Sequence, residues 1–337
     1  MNTEGISLIR RILLIKTGAF GDVVAASSSI ATAARLFPSA RLFFLTSRSF
    51  LPVVEDNPLL SGVVCLPDGH NPYALFLCLR HLRRQRFDLV VDLKGSVKTT
   101  LYAFATSARW RTGLYDSFAG KLLLRPGVDK RVHPPQQLAG LVWAALGARQ
   151  MEPMSLPVAP SRMPELTRWF SSLGLSAGRY VLIHPCASPE WDTKRWPETR
   201  FADAADRLAD RGYDIVLIGD RAGKQSSELV ASRMRHPSVN LTGATDFHQL
   251  AWLMKNAALL ISNDSGPVSV AAACGTPAVV LFGPTDPKKH LPPGAVPVCA
   301  AVPCAPCYRK RCRRMTCMEA ISVDLVVSTA LRLLGNP

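Results

Sequence analysis

The N-terminal half of the chain alternates short apolar runs with helical patterns. The uninterrupted apolar run at 12–15 (ILLI) predicts a strand that is buried on both faces, and the loop after it leads into a small-residue helix over 23–36. Further strands are predicted at 40–46 and at 87–93 (FDLVVDL), and a helix is predicted after Gly95. Continuously apolar strands that alternate with helices are typical of βαβ units in a parallel sheet.

The C-terminal half repeats this pattern after a proline-rich segment, residues 151–165, which holds four prolines and predicts a linker. Strands are predicted at 180–184, 214–218, 257–262 and 277–282, and helices at 197–211, 224–234, 247–255 and 266–274. The chain of 337 residues is too long for one ordinary core and suits two domains. We therefore expect an α/β fold with two doubly wound, Rossmann-like domains that face a cleft, with ligands at the carboxyl ends of the strands.

The composition narrows the functional classes. Apolar content of 48% and charged content of 19% fit a folded globular protein. The start of the chain lacks a convincing signal peptide and no apolar run is long enough to span a bilayer, so we expect a cytoplasmic protein or one at a membrane surface. The net charge of +15 favours nucleic acid, anionic lipid or an acidic substrate as partner. No zinc-finger, RRM-like or basic-zipper pattern accompanies the cations, so nucleic acid is not the expected partner.

Two loops in the second half are candidate phosphate sites. Residues 263–266 (NDSG) follow a strand and start a helix, which Asp264 or Ser265 can cap, and the free amides at that helix end suit an anion. An ordinary βα connection has the same pattern, so this reading stays open. In the loop 184–197, Ser188 and Lys194 are candidates to hold phosphate, with a plain surface lysine as the alternative, and Trp196 is expected to pack.

A loop in the first half carries a candidate catalytic carboxylate. Gly18 and Gly21 bracket a tight loop, and Asp22 stands at the start of the following helix. A carboxylate is favourable there on dipole grounds alone, and it could equally serve as a general base in a cleft. The chain shows no P-loop, no GxGxxG motif and no nucleophile elbow, so the common nucleotide and hydrolase signatures are absent from the sequence.

Four cysteines close to the C-terminus form a candidate metal cluster. Cys304 and Cys307 make a CxxC pair, and Cys312 and Cys317 follow at short spacings. Four thiolates this close could bind structural zinc or an iron–sulfur cluster. The alternative is a compact loop of reduced, packed cysteines, because only the CxxC matches the general zinc spacing.

These motifs together resemble the heptosyltransferases of glycosyltransferase family 9, which build the inner core of lipopolysaccharide. The segments that carry the resemblance run nearly end to end: ILLIKTGAFGDVV, FDLVVDLKGSVKT, HPCAS with KRWPETRFADAADRL, and LTGATDFHQLAWLMKNAALLISNDSGPVSVAAACGTPAVVLFGPTDP. The resemblance implies a GT-B fold with an N-terminal acceptor-side domain over 1–155, a donor domain over 156–318, and a terminal helix over 319–334 that packs back on the first domain. It also implies inverting, metal-independent transfer with no required cofactor.

The resemblance assigns roles to the residues singled out above. Asp22 would be the general base. Ser188 and Lys194 would hold the donor diphosphate, and Asp264, Ser265 and Gly266 would line the donor site. Gly21, Lys94 and Lys98 would contact an acidic acceptor.

The implied reaction moves a sugar, heptose from an ADP-sugar, onto a lipopolysaccharide core or a related surface glycan. The implied partners are a nucleotide-sugar donor, an acidic glycolipid acceptor and the anionic inner-membrane surface on its cytoplasmic side. Two departures bear on the donor: Ser269 stands where the family usually has His, and the loop 219–225 lacks the usual Glu. A catalytically silent sugar-nucleotide or glycan-binding protein and a nucleotide-sugar epimerase are the alternatives.

Overall fold

Two compact units make up the protein, which we describe from a computed structural model over residues 8–69, 71–133 and 135–335. The chain divides between Ala159 and Pro160. In the described residues each unit contains one six-stranded, wholly parallel sheet. The predicted α/β class with two doubly wound domains is therefore confirmed.

The sheet of unit 1 has the strand order β3-β2-β1-β4-β5-β6. Its strands are β1 (Arg11–Ile15), β2 (Arg41–Ser47), β3 (Leu60–Leu66), β4 (Leu89–Asp92), β5 (Trp110–Tyr115) and β6 (Gly127–Asp129). The helices of this unit are α1 (Phe20–Leu36), α2 (Leu51–Val54), α3 (Pro72–Arg84), α4 (Val97–Ala105), α5 (Phe118–Leu123) and α6 (Pro135–Ala145).

The sheet of unit 2 has the order β9-β8-β7-β10-β11-β12, which repeats the topology of unit 1 strand for strand. Its strands are β7 (Tyr180–His184), β8 (Asp214–Leu217), β9 (Ser238–Asn240), β10 (Leu259–Asn263), β11 (Ala278–Phe282) and β12 (Ala295–Cys299). The helices are α7 (Met163–Ser172), α8 (Glu198–Ala209), α9 (Lys224–Arg233), α10 (Phe247–Asn256), α11 (Gly266–Cys274), α12 (Pro287–His290), α13 (Thr316–Glu319) and α14 (Val323–Leu333).

The central strands explain why the chain folds as two sheets. In β1, the four residues from Ile12 to Ile15 are fully buried, and β7 is equally buried from Tyr180 to Ile183. A strand buried on both faces needs helices on both sides of the sheet, and each large side chain so buried contributes roughly 1.5–3 kcal/mol. None of the helices that the structure describes is long and apolar enough to cross a membrane.

The segment before the division is tied to unit 1. The Ser28 hydroxyl donates to the Glu152 carbonyl, the Glu152 amide donates to Thr32 Oγ1 at 2.9 Å, and the Ser155 amide donates to Ser27 Oγ at 3.2 Å. Small polar residues on α1 thus hold the first part of the predicted linker. The division consequently falls between residues 159 and 160 rather than between 155 and 156.

The C-terminal helix packs in the core of unit 2. The side chains of Val326, Val327 and Ala330 on α14 are buried in the core of unit 2, where the helix lies against α8 and the strands β10 to β12. The connection before it is anchored because Trp196 Nε1 donates to the Ile321 carbonyl at 3.1 Å. The helix therefore belongs to unit 2, and its packing back on the N-terminal domain stays a prediction.

Candidate active site

The strand order fixes where ligands should bind in each unit. The order reverses between the first and the fourth strand of a unit, which in parallel sheets opens a crevice at the carboxyl ends of those strands. These strands are β1 and β4 in unit 1, and β7 and β10 in unit 2. Asp22 and Lys94 follow the first pair of strands, and Lys194 and Asp264 follow the second pair. The sequence-predicted residues thus lie at the two reversal points.

Two lysines cross the reversal point of unit 1. Lys16 Nζ, just after β1, donates to the Leu93 carbonyl after β4 at 3.0 Å. Lys94 Nζ donates in the opposite direction, to the Gly18 carbonyl at 2.9 Å. The two loops that would form a binding site are therefore held together by buried or half-buried ammonium groups. Sequence reasoning did not assign a role to Lys16, whose only signal is that it ends the apolar run of β1.

Asp22 lies in the first turn of α1 and keeps an accessible carboxylate. Its side chain is 54% exposed, and Oδ2 is 3.2 Å from Lys16 Nζ. Burial lowers the pKa of Lys16, and the adjacent Asp22 carboxylate offsets part of that effect. The position fits both readings left open by the sequence, because the carboxylate meets the helix N-terminus and is also free to reach a substrate.

A buried aspartate shapes the loop that presents Lys94. Asp92 Oδ1 accepts from the amides of Lys94 at 2.9 Å and Gly95 at 3.0 Å, whereas Oδ2 has no hydrogen-bond partner. Burial raises the pKa of Asp92. Gly95 has a φ of +64°, and a Cβ there would lie 2.7 Å from the backbone of Leu114, so this turn requires glycine.

A cavity of about 310 Å³ opens beside these residues within unit 1. Lys16, Lys94 and Lys130 line it together with Asp22 and apolar side chains that include Leu93. Three lysines and one carboxylate suit an anionic ligand with a hydroxyl to be deprotonated.

The other two predicted acceptor residues differ in placement. Gly21 lies in the first turn of α1 beside Asp22, whereas Lys98 is exposed in the first turn of α4 and does not line the cavity. The cavity's third lysine, Lys130, pairs with Asp116 at 2.7 Å and was not identified from the sequence.

An ion pair closes the reversal point of unit 2. Lys194 Nζ lies 2.6 Å from Asp264 Oδ2, and the two side chains are only 16% and 13% exposed. The same carboxylate oxygen accepts from Thr285 Oγ1 at 2.7 Å, and the Lys194 ammonium lies 4.7 Å from the centre of the Trp191 ring. The structure therefore brings together Lys194 and Asp264 as predicted neighbours of one site. The structure also places Thr285 at this site, from the turn at residues 283–287 (GPTDP) that follows β11.

The N-terminus of α11 has no side-chain cap, which corrects the expectation that Asp264 or Ser265 provides one. Ser265 is the N-cap residue, but its hydroxyl donates to the Asn263 carbonyl at 3.0 Å and lies 3.1 Å from His184 Nδ1. The Asp264 carboxylate is occupied by Lys194 and Thr285. Pro267 has no amide hydrogen and the Val268 amide donates to the Ser265 carbonyl at 3.2 Å, so among the first three residues of α11 it is the Gly266 amide that is left for another acceptor, such as a phosphate.

The residues singled out in the long loop after β7 differ in their exposure to solvent. Ser188 is exposed, and its carbonyl accepts from the Trp191 amide at 2.8 Å. Trp196 is fully buried with its ring centre 4.9 Å from that of Phe201, so its predicted packing role is confirmed. Lys194 is half-buried, and its ammonium group points to Asp264.

The loop 219–225 is shaped by a buried thiol. A Cβ at Gly223 would lie 2.1 Å from Cys186 Sγ, so only glycine fits there. Burial raises the pKa of Cys186 to about 11, which leaves an unreactive thiol. Asp220 Oδ1 accepts from the Gly223 amide at 3.0 Å and Lys224 is exposed. Packing and turn geometry thus fix the shape of this loop, whereas the exposed Lys224 has no structural explanation.

The buried His184 predicts a pH-dependent stability. Burial lowers its pKa from 6.5 to about 4, so the folded protein holds the ring neutral at pH 7. The unfolded chain takes up a proton near pH 6.5, and stability is therefore lost as the pH falls from 6.5 towards 4, by about 3 kcal/mol in total.

Urea unfolding at about pH 7.5, 6 and 5 measures this slope. We expect a His184→Gln variant to lose most of the pH dependence of the free energy of unfolding. The control His81→Gln, at an exposed histidine on α3, should keep that pH dependence. Equal slopes in wild type and His184→Gln contradict the assignment.

The four cysteines near the C-terminus surround a cavity of about 710 Å³ without converging on one point. Cys317 is buried, and Cys304 and Cys312 are exposed; backbone amides of neighbouring residues lower the pKa of Cys312. Within the described ranges, no group of three or more His, Cys, Asp or Glu side chains is placed to hold a metal ion. A structural metal at Cys304, Cys307, Cys312 and Cys317 stays a prediction, which elemental analysis of the purified protein tests.

Comparison with known sequences gives one family for most of the chain. The sequence profile described as glycosyltransferase family 9 (heptosyltransferase) matches residues 76–318. Lipopolysaccharide heptosyltransferase 2 of Salmonella typhimurium is 28% identical over 292 residues, which cover 82% of this chain and 84% of that protein. The profile match includes β4, the reversal point of unit 2 and the cysteine-rich segment.

Comparison with solved structures extends the likeness to nearly the whole chain. A glycosyl transferase family 9 structure from Veillonella parvula has a TM-score of 0.83 at 22% identity and covers 96% of this chain and 97% of that one. The structure of Escherichia coli ADP-heptose lps heptosyltransferase II has a TM-score of 0.77 at 23% identity, with coverage of 96% and 98%. These likenesses confirm the GT-B type of fold predicted from the sequence.

Proposed function

This chain belongs to glycosyltransferase family 9 (heptosyltransferase), and from that premise we propose that it transfers a heptose from an ADP-sugar to a lipopolysaccharide core acceptor. The protein is a glycosyltransferase, and relatives at 25–28% identity are named lipopolysaccharide or lipooligosaccharide heptosyltransferases. The observation that carries the proposal is the accessible Asp22 carboxylate. It lies at the reversal point of unit 1, beside Lys16 and a lysine-lined cavity.

The proposed mechanism is a single displacement with inversion. Asp22 accepts the proton of the acceptor hydroxyl while that oxygen attacks the anomeric carbon, and the bond from this carbon to the diphosphate breaks. The negative charge that grows on the departing nucleotide is stabilised by Lys194 and by the Gly266 amide and the positive dipole end at the start of α11. Fixed cations and amides supply this stabilisation without a metal ion in the proposed reaction.

The donor and acceptor assignments follow from the charges of each unit. In unit 2, Lys194 and the α11 N-terminus bind the diphosphate, with Ser265 and Gly266 at its edge and Ser188 in the same loop. In unit 1, Lys94 and Lys130 bind the phosphates or sugar acids of the acceptor, and Lys98 adds positive charge on α4. We also propose that the enzyme works at the cytoplasmic face of the inner membrane, which the net charge of +15 supports.

The first test is a calorimetric titration, without added metal, against ADP, UDP, GDP, CMP and their sugar conjugates, followed by a transfer assay with the best donor. Selective binding of ADP-heptose and ADP release that depends on acceptor are expected. Preference for another nucleotide would change the donor assignment and would identify Ser269 and the loop 219–225 as the cause. Binding without turnover would favour a silent binding protein, and donor turnover without any acceptor would favour an epimerase.

A further inference from the structure

Three neighbouring helices of unit 1 expose an unusual number of large apolar side chains. Of the fifteen exposed large apolar residues among those the structure describes, eight lie on α3, α4 and α5. They are Tyr73, Phe76 and Leu77 on α3, Val97, Leu101 and Phe104 on α4, and Phe118 and Leu122 on α5. Because α3 packs beside α4 and α4 packs beside α5, these side chains share one surface, which we call the α3–α5 face. An apolar cluster of this kind marks an interaction site.

The exposed apolar and cationic side chains of α3 lie on one face of the helix. Tyr73, Phe76, Leu77, Arg80 and Arg84 recur at intervals of three and four residues, so they form one outward stripe. Phe76 is 57% exposed and Leu77 is 43% exposed. A helix on an ordinary protein surface would show polar residues at these positions, whereas here the outward stripe is aromatic at one end and cationic at the other.

The charges around this face have one sign. Residues 71–128 contain ten Lys and Arg but only three Asp and no Glu. Each aspartate is already engaged or buried: Asp88 accepts from the amides of Arg10 and Arg11, Asp92 is buried, and Asp116 pairs with Lys130. A surface of aromatic and aliphatic side chains edged by unopposed cations complements an apolar partner with anionic groups at its boundary.

The position of this face connects it with Asp22. Val97 starts α4 just after β4, and Phe118, which is 83% exposed, starts α5 just after β5. Parallel strands direct both of these helix starts to the sheet edge that carries Asp22 and Lys94. A partner bound to the face would therefore lie close to the cavity beside Asp22.

We infer that the α3–α5 face docks on an anionic phospholipid bilayer, with its aromatic side chains among the acyl chains and its cations at the headgroups. A bilayer matches both the apolar character and the charge of the face, whereas nucleic acid would leave the apolar residues exposed. In combination with the proposed function, on which this step rests, the docking brings a lipid-anchored acceptor to Asp22 without removing it from the membrane.

Vesicle flotation of the full-length protein tests the docking directly. The probes are vesicles of phosphatidylcholine alone and of phosphatidylcholine with phosphatidylglycerol. We compare wild type with Phe76→Asp/Leu77→Asp and with the matched control Leu229→Asp/Leu325→Asp, which changes two leucines of unit 2 that are 40% and 42% exposed. Thermal unfolding checks that all three proteins are folded.

Wild type and control are expected to float with the anionic vesicles. The α3 variant is expected to bind these vesicles at least about tenfold more weakly. Equal binding of the two variants overturns the inference, as does failure of the wild type to bind. A wild-type dimer that becomes a monomer in the α3 variant, with no vesicle binding by either, would identify the face as a contact between two copies.

A second readout separates this inference from the proposed function. With acceptor embedded in anionic vesicles, the α3 variant is expected to transfer sugar about tenfold more slowly than wild type, and with a deacylated, water-soluble acceptor it is expected to match wild type. Equal rates in vesicles overturn the role of docking in transfer. If no protein transfers sugar but flotation gives the expected difference, the proposed function fails and the docking surface stands.

Discussion

Replacing Asp22 by asparagine is expected to abolish sugar transfer while sparing donor binding. The amide has the shape of the carboxylate but cannot accept the proton of the acceptor hydroxyl, so kcat should fall by about 10²–10⁴-fold. Donor affinity should remain because the diphosphate is assigned to residues of unit 2. Acceptor-dependent ADP release measures the first quantity, and calorimetric titration with the nucleotide sugar measures the second.

Asp68→Asn is the matched control for this variant. Asp68 is 69% exposed and lies 3.3 Å from Arg48, much as Asp22 is 54% exposed and lies 3.2 Å from Lys16. The control should turn over at nearly the wild-type rate. Wild-type turnover by Asp22→Asn would show that the base assignment is wrong, and a loss of donor binding would give Asp22 a different role.

Replacing Lys194 by alanine is expected to weaken nucleotide binding by about 10–100-fold. The variant removes the cation that we propose binds the diphosphate. It also leaves the Asp264 carboxylate, 13% exposed, with the Thr285 hydroxyl as donor but without its cationic partner. That unpaired carboxylate should lower the free energy of unfolding by about 1–3 kcal/mol. Calorimetry with ADP and urea unfolding measure the two effects.

Two further variants separate binding from stability at this pair. Lys255→Ala removes an exposed lysine in the last turn of α10 of the same unit, and it should leave both quantities nearly unchanged. The double variant Lys194→Ala/Asp264→Asn should regain stability but not affinity, because the repulsion is gone while the cation is still missing. Nucleotide affinity equal to wild type in Lys194→Ala would refute the phosphate role.

The central strands could be predicted from the sequence because burial on both faces leaves an unbroken apolar run. The predicted strands 12–15 and 180–184 correspond to Arg11–Ile15 and Tyr180–His184, and the helix predicted at 197–211 is Glu198–Ala209. The sequence predicts neither the edge strands β3, β6, β9 and β12 nor the interior strand β5. Their residues are mostly half-buried, as in Leu60–Leu66, so the apolar signal that identifies a central strand is weak there.

The sequence predicts which loops carry the candidate residues, but it does not predict which side chains those residues contact. Lys194 and Asp264 are 70 positions apart, and only the neighbouring placement of β7 and β10 brings their side chains to 2.6 Å. The aromatic stripe of α3 could not be recognised as a surface feature, because an apolar helical spacing normally indicates burial. Similarly, the apolar side of the terminal helix predicts that it packs but does not say against which unit.

The repeated strand order has a consequence for how this enzyme can diversify. Each unit closes its own reversal point, through Lys16 and the Leu93 carbonyl in one and through Lys194 and Asp264 in the other. Substitutions in the two networks should therefore act additively on stability. A chimera joined between residues 159 and 160 would inherit each network whole, so under the proposed assignment of acceptor and nucleotide to different units the two preferences should be exchanged separately.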